Sequence, residues 1–82
     1  MIFYETKFPD AWIIEPEPIQ DSRGSFSRVF CANEFGQRGL ETDFVQHSIS
    51  RNIKAGTLRG MHFQSAPHEE TKVVTCLKGG VF

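Results

Sequence analysis

The nine residues GTLRGMHFQ at positions 56–64 decide which folds this chain can adopt. Gly56 is followed by five residues and then by His62, with Gln64 two places further on. Side chains two apart on a β-strand lie on the same face, so a strand over residues 58–64 places His62 beside Gln64. Arg59 is three residues before His62 and reaches the same face only if the strand is irregular, and Gly60 is where a β-bulge forms easily.

This spacing resembles the first sequence motif of the cupins, in which a glycine, five residues and His-x-His are followed by a glutamate. Gln64 stands where that motif has its second histidine, and Glu69 follows. Metal cupins need imidazoles at about 2.1 Å from one ion, and glutamine is a poor ligand for such metals. The residues therefore favour a site without a metal. A metal-dependent cupin that uses His62, His68 and Glu69 remains the alternative.

The rest of the chain is read as short strands separated by glycine and proline turns. The predicted strands, about five in number, cover residues 11–14, 25–31, 43–50, 58–64 and 72–77, with a turn at residues 21–24. Residues 32–38 fit one or two helical turns that Gly39 closes. The pattern predicts an all-β jelly-roll barrel or sandwich with one short helix, and residues 1–82 form part of a single domain.

Composition narrows the functional classes. With 82 residues, 39% hydrophobic and 12% aromatic, the chain is rich enough in apolar residues to fold. A net charge of -1 gives no basic bias towards nucleic acid. No run approaches the ~20 apolar residues of a membrane span and no signal peptide is visible, so we expect a cytoplasmic protein. The sequence stops at Phe82 within an apolar run, which makes us expect a truncated chain.

Two side chains carry the chemistry that the pattern suggests. A neutral imidazole is a suitable general base near pH 7, so His62 could remove a proton next to a carbonyl group. Lys72 begins a predicted strand that can lie beside His62, and its ammonium group could stabilise the enolate. Arg59 could hold a phosphate with two hydrogen bonds. A core histidine, a lysine at a strand edge and an outward arginine explain the same residues equally well.

Four blocks of sequence, in order, resemble the dTDP-4-dehydrorhamnose 3,5-epimerase family. They are DxRGxF at 21–26, FVQ at 44–46, LRGxHxQ at 58–64 and KVVxCxxGxV at 72–81. The resemblance implies an incomplete cupin jelly-roll barrel and an N-terminal portion of the domain. It also implies a homodimer in which N-terminal strands join the partner's sheet, with neither metal nor cofactor.

The resemblance assigns roles to the charged residues. It implies that His62 removes the protons at C3 and C5 of a 4-keto-6-deoxyhexose nucleotide, while Lys72 stabilises the enolate oxygen. Arg59 and Arg23 are expected to hold the diphosphate, with Arg23 reaching the partner subunit's site. The expected partner molecule is therefore a nucleotide sugar.

The resemblance also implies where the nucleotide lies. Gln46 and Ser48 match positions that line the nucleotide and sugar cleft, and Phe26 matches a position near the base. Two residues depart from the family pattern, since Ile19 replaces an aromatic residue and Arg28 replaces a glutamate. A guanidinium donates hydrogen bonds where a carboxylate accepts them, so the preference for thymidine is open.

The family's aspartate partner of the base and its tyrosine acid come from the second half of the domain. Tyr4, the only tyrosine, lies in a different region of the sequence. A base without its orienting carboxylate loses most of its rate, so we expect this chain to be inactive alone. A non-catalytic protein that keeps a sugar-nucleotide or partner-binding surface is the third reading.

Overall fold

The computed structural model describes all residues 1–82 and divides into two units, Met1–His47 and Ser48–Phe82. All regular elements lie in the first unit. They are β1 (Ile2–Glu5), β2 (Trp12–Glu15), β3 (Ile19–Asp21), β4 (Gly24–Phe26) and α1 (Ala32–Gly36). The chain is thus an all-β arrangement with one short helix and no closed barrel, which confirms the predicted fold class for an incomplete domain. No helix has both the length and the apolar composition needed to cross a bilayer.

Strands β1 and β2 form an antiparallel hairpin. Phe3 lies opposite Ile14, and Tyr4 lies opposite Ile13. Because successive strand side chains alternate between faces, Phe3 and Ile14 are half-buried while Tyr4 and Ile13 are exposed on the other face. The Thr6 hydroxyl strengthens the turn, donating to the carbonyl of Ala11 at 2.8 Å. Strand β2 confirms the strand predicted at residues 11–14, whereas β1 was not predicted.

The core of the first unit is a cluster of aromatic rings. Phe35 of α1 is its centre and is only 2% exposed. Its ring centroid lies 4.8 Å from Phe30, 5.6 Å from Phe3 and 6.3 Å from Phe44. Trp12 meets the edge of Phe3 at 6.4 Å. These five residues are called the aromatic cluster below, and their tilted and edge-to-face geometry is the favourable one for ring quadrupoles.

Helix α1 ends as the sequence predicts. The Leu40 N–H donates to the carbonyl of Phe35 at 3.0 Å, and the Gly39 N–H donates to that of Gly36 at 3.0 Å. This pair of bonds is a Schellman motif, which needs a left-handed residue between helix and loop. Gly39 supplies it with φ of 70°. The predicted closure at Gly39 is confirmed, although the helix itself stops at Gly36.

Three predicted strands, at residues 43–50, 58–64 and 72–77, are not formed, and the one predicted at 25–31 is reduced to β4. Strand β3 was not predicted. Ladder hydrogen bonds hold a strand in place, and the alternating side chains alone do not supply them. Met61 and Leu58, for example, remain 98% and 92% exposed. These predictions of strand were wrong because no partner strand pairs with the segments.

Candidate functional site

A tight hairpin brings two of the predicted binding residues together in the first unit. Strands β3 and β4 are antiparallel, with Ile19 opposite Phe26 and Asp21 opposite Gly24. The Asp21 carboxylate accepts the backbone N–H of Arg23 at 2.8 Å, which is the geometry of an Asx turn. Gly24 follows with φ of 139°, a conformation that residues with a Cβ rarely adopt. The turn predicted at residues 21–24 is confirmed.

The hairpin forms a shallow, open cleft of about 370 Å³ whose lining residues are all exposed to solvent. Its lining consists of Ile19, Asp21, Arg23, Gly24, Ser25 and Phe26. The Phe26 ring is 75% exposed and its cross-strand neighbour Ile19 is 73% exposed, so the cleft has an apolar platform. Arg23 adds a guanidinium group. An apolar platform beside a cation suits a ligand that carries both a ring and an anionic group.

Arg23 is held by Asp21 within this cleft. Its Nη2 lies 2.6 Å and its Nε 3.2 Å from the same carboxylate oxygen, Oδ2. The side-chain hydrogen bond from Arg23 lowers the pKa of Asp21, and the same bond raises the pKa of Arg23. Both groups are open to solvent, with the Arg23 side chain 88% exposed, so solvent screens their attraction.

Gln46, the third predicted binding residue of the first unit, is exposed, and the structure gives its side chain no hydrogen bond. Ser48, Arg59, His62 and Lys72 belong to the second unit, where Ser48 is likewise exposed. The Arg59 Nε donates to the side-chain oxygen of Asn52.

Lys72 and His62 lie next to each other in the second unit. The Lys72 Nζ donates to the backbone carbonyl of His62 at 2.9 Å and lies 3.5 Å from the Glu70 carboxylate. The ammonium group therefore touches the main chain of His62.

The alternative metal ligands do not come together. No group of three or more His, Cys, Asp or Glu side chains with the geometry of a metal site occurs in the structure. His62, His68 and Glu69 are thus not assembled as ligands here.

Sequence reasoning missed two side chains that hold the arginines, namely Asp21 and Asn52. Asp21 had been read only as a turn residue. The signal was available, because an aspartate two residues before an arginine at a turn can accept from both its main chain and its guanidinium. Asn52 carries no comparable signal, since seven residues separate it from Arg59.

Comparison with known proteins identifies the family. The family model for dTDP-4-dehydrorhamnose 3,5-epimerase matches residues 5–82. The chain belongs to this family. A dTDP-4-dehydrorhamnose 3,5-epimerase from Shigella flexneri is 39% identical over 79 residues, which is 95% of this chain and 43% of the relative. Proteins of the same name from Methanothermobacter thermautotrophicus and Escherichia coli K12 are 40% and 38% identical over 98% and 94% of this chain.

The chain spans about two fifths of the length of these epimerase relatives, with 42% of the Methanothermobacter and the Escherichia coli proteins covered. The matched stretch contains every residue that the sequence assigned to the site, from Arg23 to Lys72. No solved structure matches the chain significantly.

Proposed function

We propose that the protein is a sugar-nucleotide epimerase that inverts C3 and C5 of a 4-keto-6-deoxyhexose carried on dTDP, in rhamnose biosynthesis. The observation that carries the proposal is the family match over residues 5–82, which includes both His62 and Lys72. The position of the Lys72 ammonium beside His62, at 2.9 Å from its carbonyl oxygen, supports it.

The proposed chemistry follows from the 4-keto group of the substrate. Protons at C3 and C5 are acidic because their loss gives an enolate delocalised onto the ketone oxygen. His62 takes the proton as general base, a role worth about 10²–10⁴-fold in rate. Lys72 stabilises the negative charge that develops on the oxygen, and such a group contributes about 10²–10³-fold. Return of a proton to the opposite face, from the acid that the resemblance places in the second half of the domain, completes the inversion.

Substrate binding is assigned to the remaining polar residues. Arg23 and Arg59 hold the diphosphate, Phe26 lies against the nucleobase, and Gln46 and Ser48 line the cleft. The cleft of β3 and β4 supports this assignment, because it combines the exposed Phe26 ring with the Arg23 guanidinium. Which base is preferred depends on Ile19, which lines the same cleft.

The assembly is proposed to be a cytoplasmic homodimer of cupin jelly-roll domains that exchange N-terminal strands and use no cofactor. The outer face of the β1–β2 hairpin supports this arrangement. Ile2, Tyr4 and Ile13 are 39%, 45% and 61% exposed on that face. Glu15 is the polar member of this face and accepts from the Tyr4 hydroxyl at 3.1 Å, and the apolar remainder is suited to burial against a second sheet.

Solvent exchange tests the catalytic assignment. In D₂O, a full-length chain that joins residues 1–82 to the C-terminal part of an epimerase relative is expected to place deuterium at C3 and C5 of dTDP-4-keto-6-deoxyglucose, as followed by NMR. Replacing the base (His62→Asn) should reduce this exchange about 10²–10⁴-fold, and Lys72→Met about 10²–10³-fold. His47→Asn is the matched control, because His47 is an exposed histidine outside the proposed machinery.

Three other results would contradict the proposal. If deuterium exchange survives His62→Asn, His62 is not the base. If a chelator abolishes the wild-type exchange and iron, zinc or manganese restores it, the metal-dependent alternative is favoured. Substrate binding with no exchange in the full-length chain leaves the binding module as the better account.

A further inference from the structure

We propose that Asp21 is a positioning residue, which holds the Nε side of the Arg23 guanidinium so that its Nη1 side faces an anionic ligand in the cleft. This inference rests on the proposed function, because it takes the anion to be the diphosphate of a nucleotide sugar. No role in binding or catalysis has been assigned to Asp21 above.

The contacts of Asp21 are divided between its two carboxylate oxygens. Oδ1 accepts the backbone N–H of Arg23 at 2.8 Å, and Oδ2 accepts Nε at 3.2 Å and Nη2 at 2.6 Å. A guanidinium has five N–H donors in a rigid plane. Asp21 uses the Nε hydrogen and one on Nη2, which leaves three donors, two of them on Nη1, for a ligand.

Two effects of Asp21 on an anion oppose each other. An arginine side chain that is 88% exposed has several rotamers, and fixing one of them on binding has an entropic cost that a standing ion pair reduces. The carboxylate also repels a diphosphate directly. Because the guanidinium is in contact with Oδ2 and neutralises it, the direct repulsion is small while Arg23 is present, and the positioning effect prevails.

The proposal therefore predicts that Asp21→Asn weakens ligand binding when Arg23 is present and strengthens it when Arg23 is replaced. Asparagine keeps an oxygen for the backbone N–H of Arg23, so the turn is retained. With Arg23 present, the substitution should weaken binding of thymidine 5′-diphosphate about two- to fivefold, the range of an exposed ion pair. In an Arg23→Gln background it should strengthen binding slightly, because only the repulsion is removed.

The experiment measures the Kd of thymidine 5′-diphosphate by calorimetry for the wild-type protein, both single variants and the double variant. NMR of the Arg23 Nε–H in the wild type and in Asp21→Asn reports on the guanidinium directly. That signal should shift on adding the nucleotide and should lose its protection from solvent exchange in Asp21→Asn. The control is Asp10→Asn, which makes the same change of charge at an exposed turn residue whose φ of 63° asparagine adopts readily.

Three outcomes would overturn the proposal: tighter binding by Asp21→Asn with Arg23 present, the same change in both backgrounds, or an Arg23 signal that does not respond to the nucleotide. The epimerase proposal is tested separately from the role of Asp21. If the chain shows the change of sign and the full-length chain with the C-terminal part of a relative shows no solvent exchange at C3 and C5, the epimerase proposal is wrong and Asp21 still positions Arg23.

Discussion

Phe35→Ala is the substitution that tests the structure of the first unit most directly. Phe35 is the fully buried ring of the aromatic cluster and packs against Phe30, Phe3 and Phe44. Removing a core phenylalanine costs about 3–5 kcal/mol. The neighbouring rings are half-buried and can partly close the space, so the low end applies, about 3 kcal/mol. At about 0.05–0.15 kcal/mol per residue, the first unit, Met1–His47, has a total stability of about 2–7 kcal/mol, so the loss is a large share of it.

Urea denaturation followed by fluorescence measures this loss. Trp12 is the only tryptophan and meets the Phe3 edge at 6.4 Å, so its emission reports on the aromatic cluster itself. With a slope near 1–1.5 kcal/mol/M, the midpoint should fall by about 2 M. Phe8→Ala removes an identical side chain that is 62% exposed and should cost less than about 1 kcal/mol. Equal losses in the two variants would refute the assignment of Phe35 as the core.

Two further predictions concern the backbone and the pH dependence. Gly39→Ala should destabilise the first unit by about 1 kcal/mol, since φ of 70° is strained for alanine. Gly36→Ala should instead stabilise it by about 0.5 kcal/mol, because alanine has the higher helix propensity. Urea midpoints of the two variants that move in the same direction would contradict this prediction. The hydrogen bond to Glu15 raises the pKa of Tyr4 above its ordinary value of 10.0. This contact therefore stabilises the folded chain below pH 10, and the stabilisation is lost as the pH rises through the raised pKa of Tyr4. Titration of the phenolate absorbance should show the shift in the wild type and its reduction in Glu15→Gln, and an unchanged midpoint in Glu15→Gln would exclude the contact.

The elements that the sequence predicted correctly are those determined by local chemistry. An Asx turn at Asp21, a glycine that ends α1 and an apolar run between prolines each act over a few residues. Strand β1 was missed because Ile2–Glu5 is short and its pairing with β2 depends on residues about seven to thirteen positions away. Its inward residue Phe3 belongs to the aromatic cluster, and nothing in a four-residue segment reveals that partner.

The site residues divide in the same way, into those placed by local contacts and those that depend on long-range strand pairing. Arg23 and Phe26 were named from the family resemblance, and a hairpin of only eight residues, Ile19 to Phe26, places both in one cleft. Lys72 was expected beside His62 through strand pairing, and it lies there through a bond to the main chain of His62. The two residues are neighbours in the structure, although the strands that had predicted this are not formed.

Arg23 and Phe26 are placed by local structure whereas His62 and Lys72 are not, and this difference has a physical cause. Closing the short loop between β3 and β4 costs little entropy, so the Arg23 and Phe26 side chains are placed by contacts available within the hairpin. The sheet face on which the His62 and Lys72 side chains would lie depends instead on strand register. The register is fixed only when a partner strand supplies ladder hydrogen bonds and an apolar layer covers one face. Phe63 and Val74 are 85% and 83% exposed, so neither condition is met around these residues. The part of the proposed binding site formed by Arg23 and Phe26 is therefore encoded locally, whereas the orientation of the imidazole and ammonium groups needs long-range strand pairing. Substitutions at Asp21 should change ligand binding without changing the chemistry of His62.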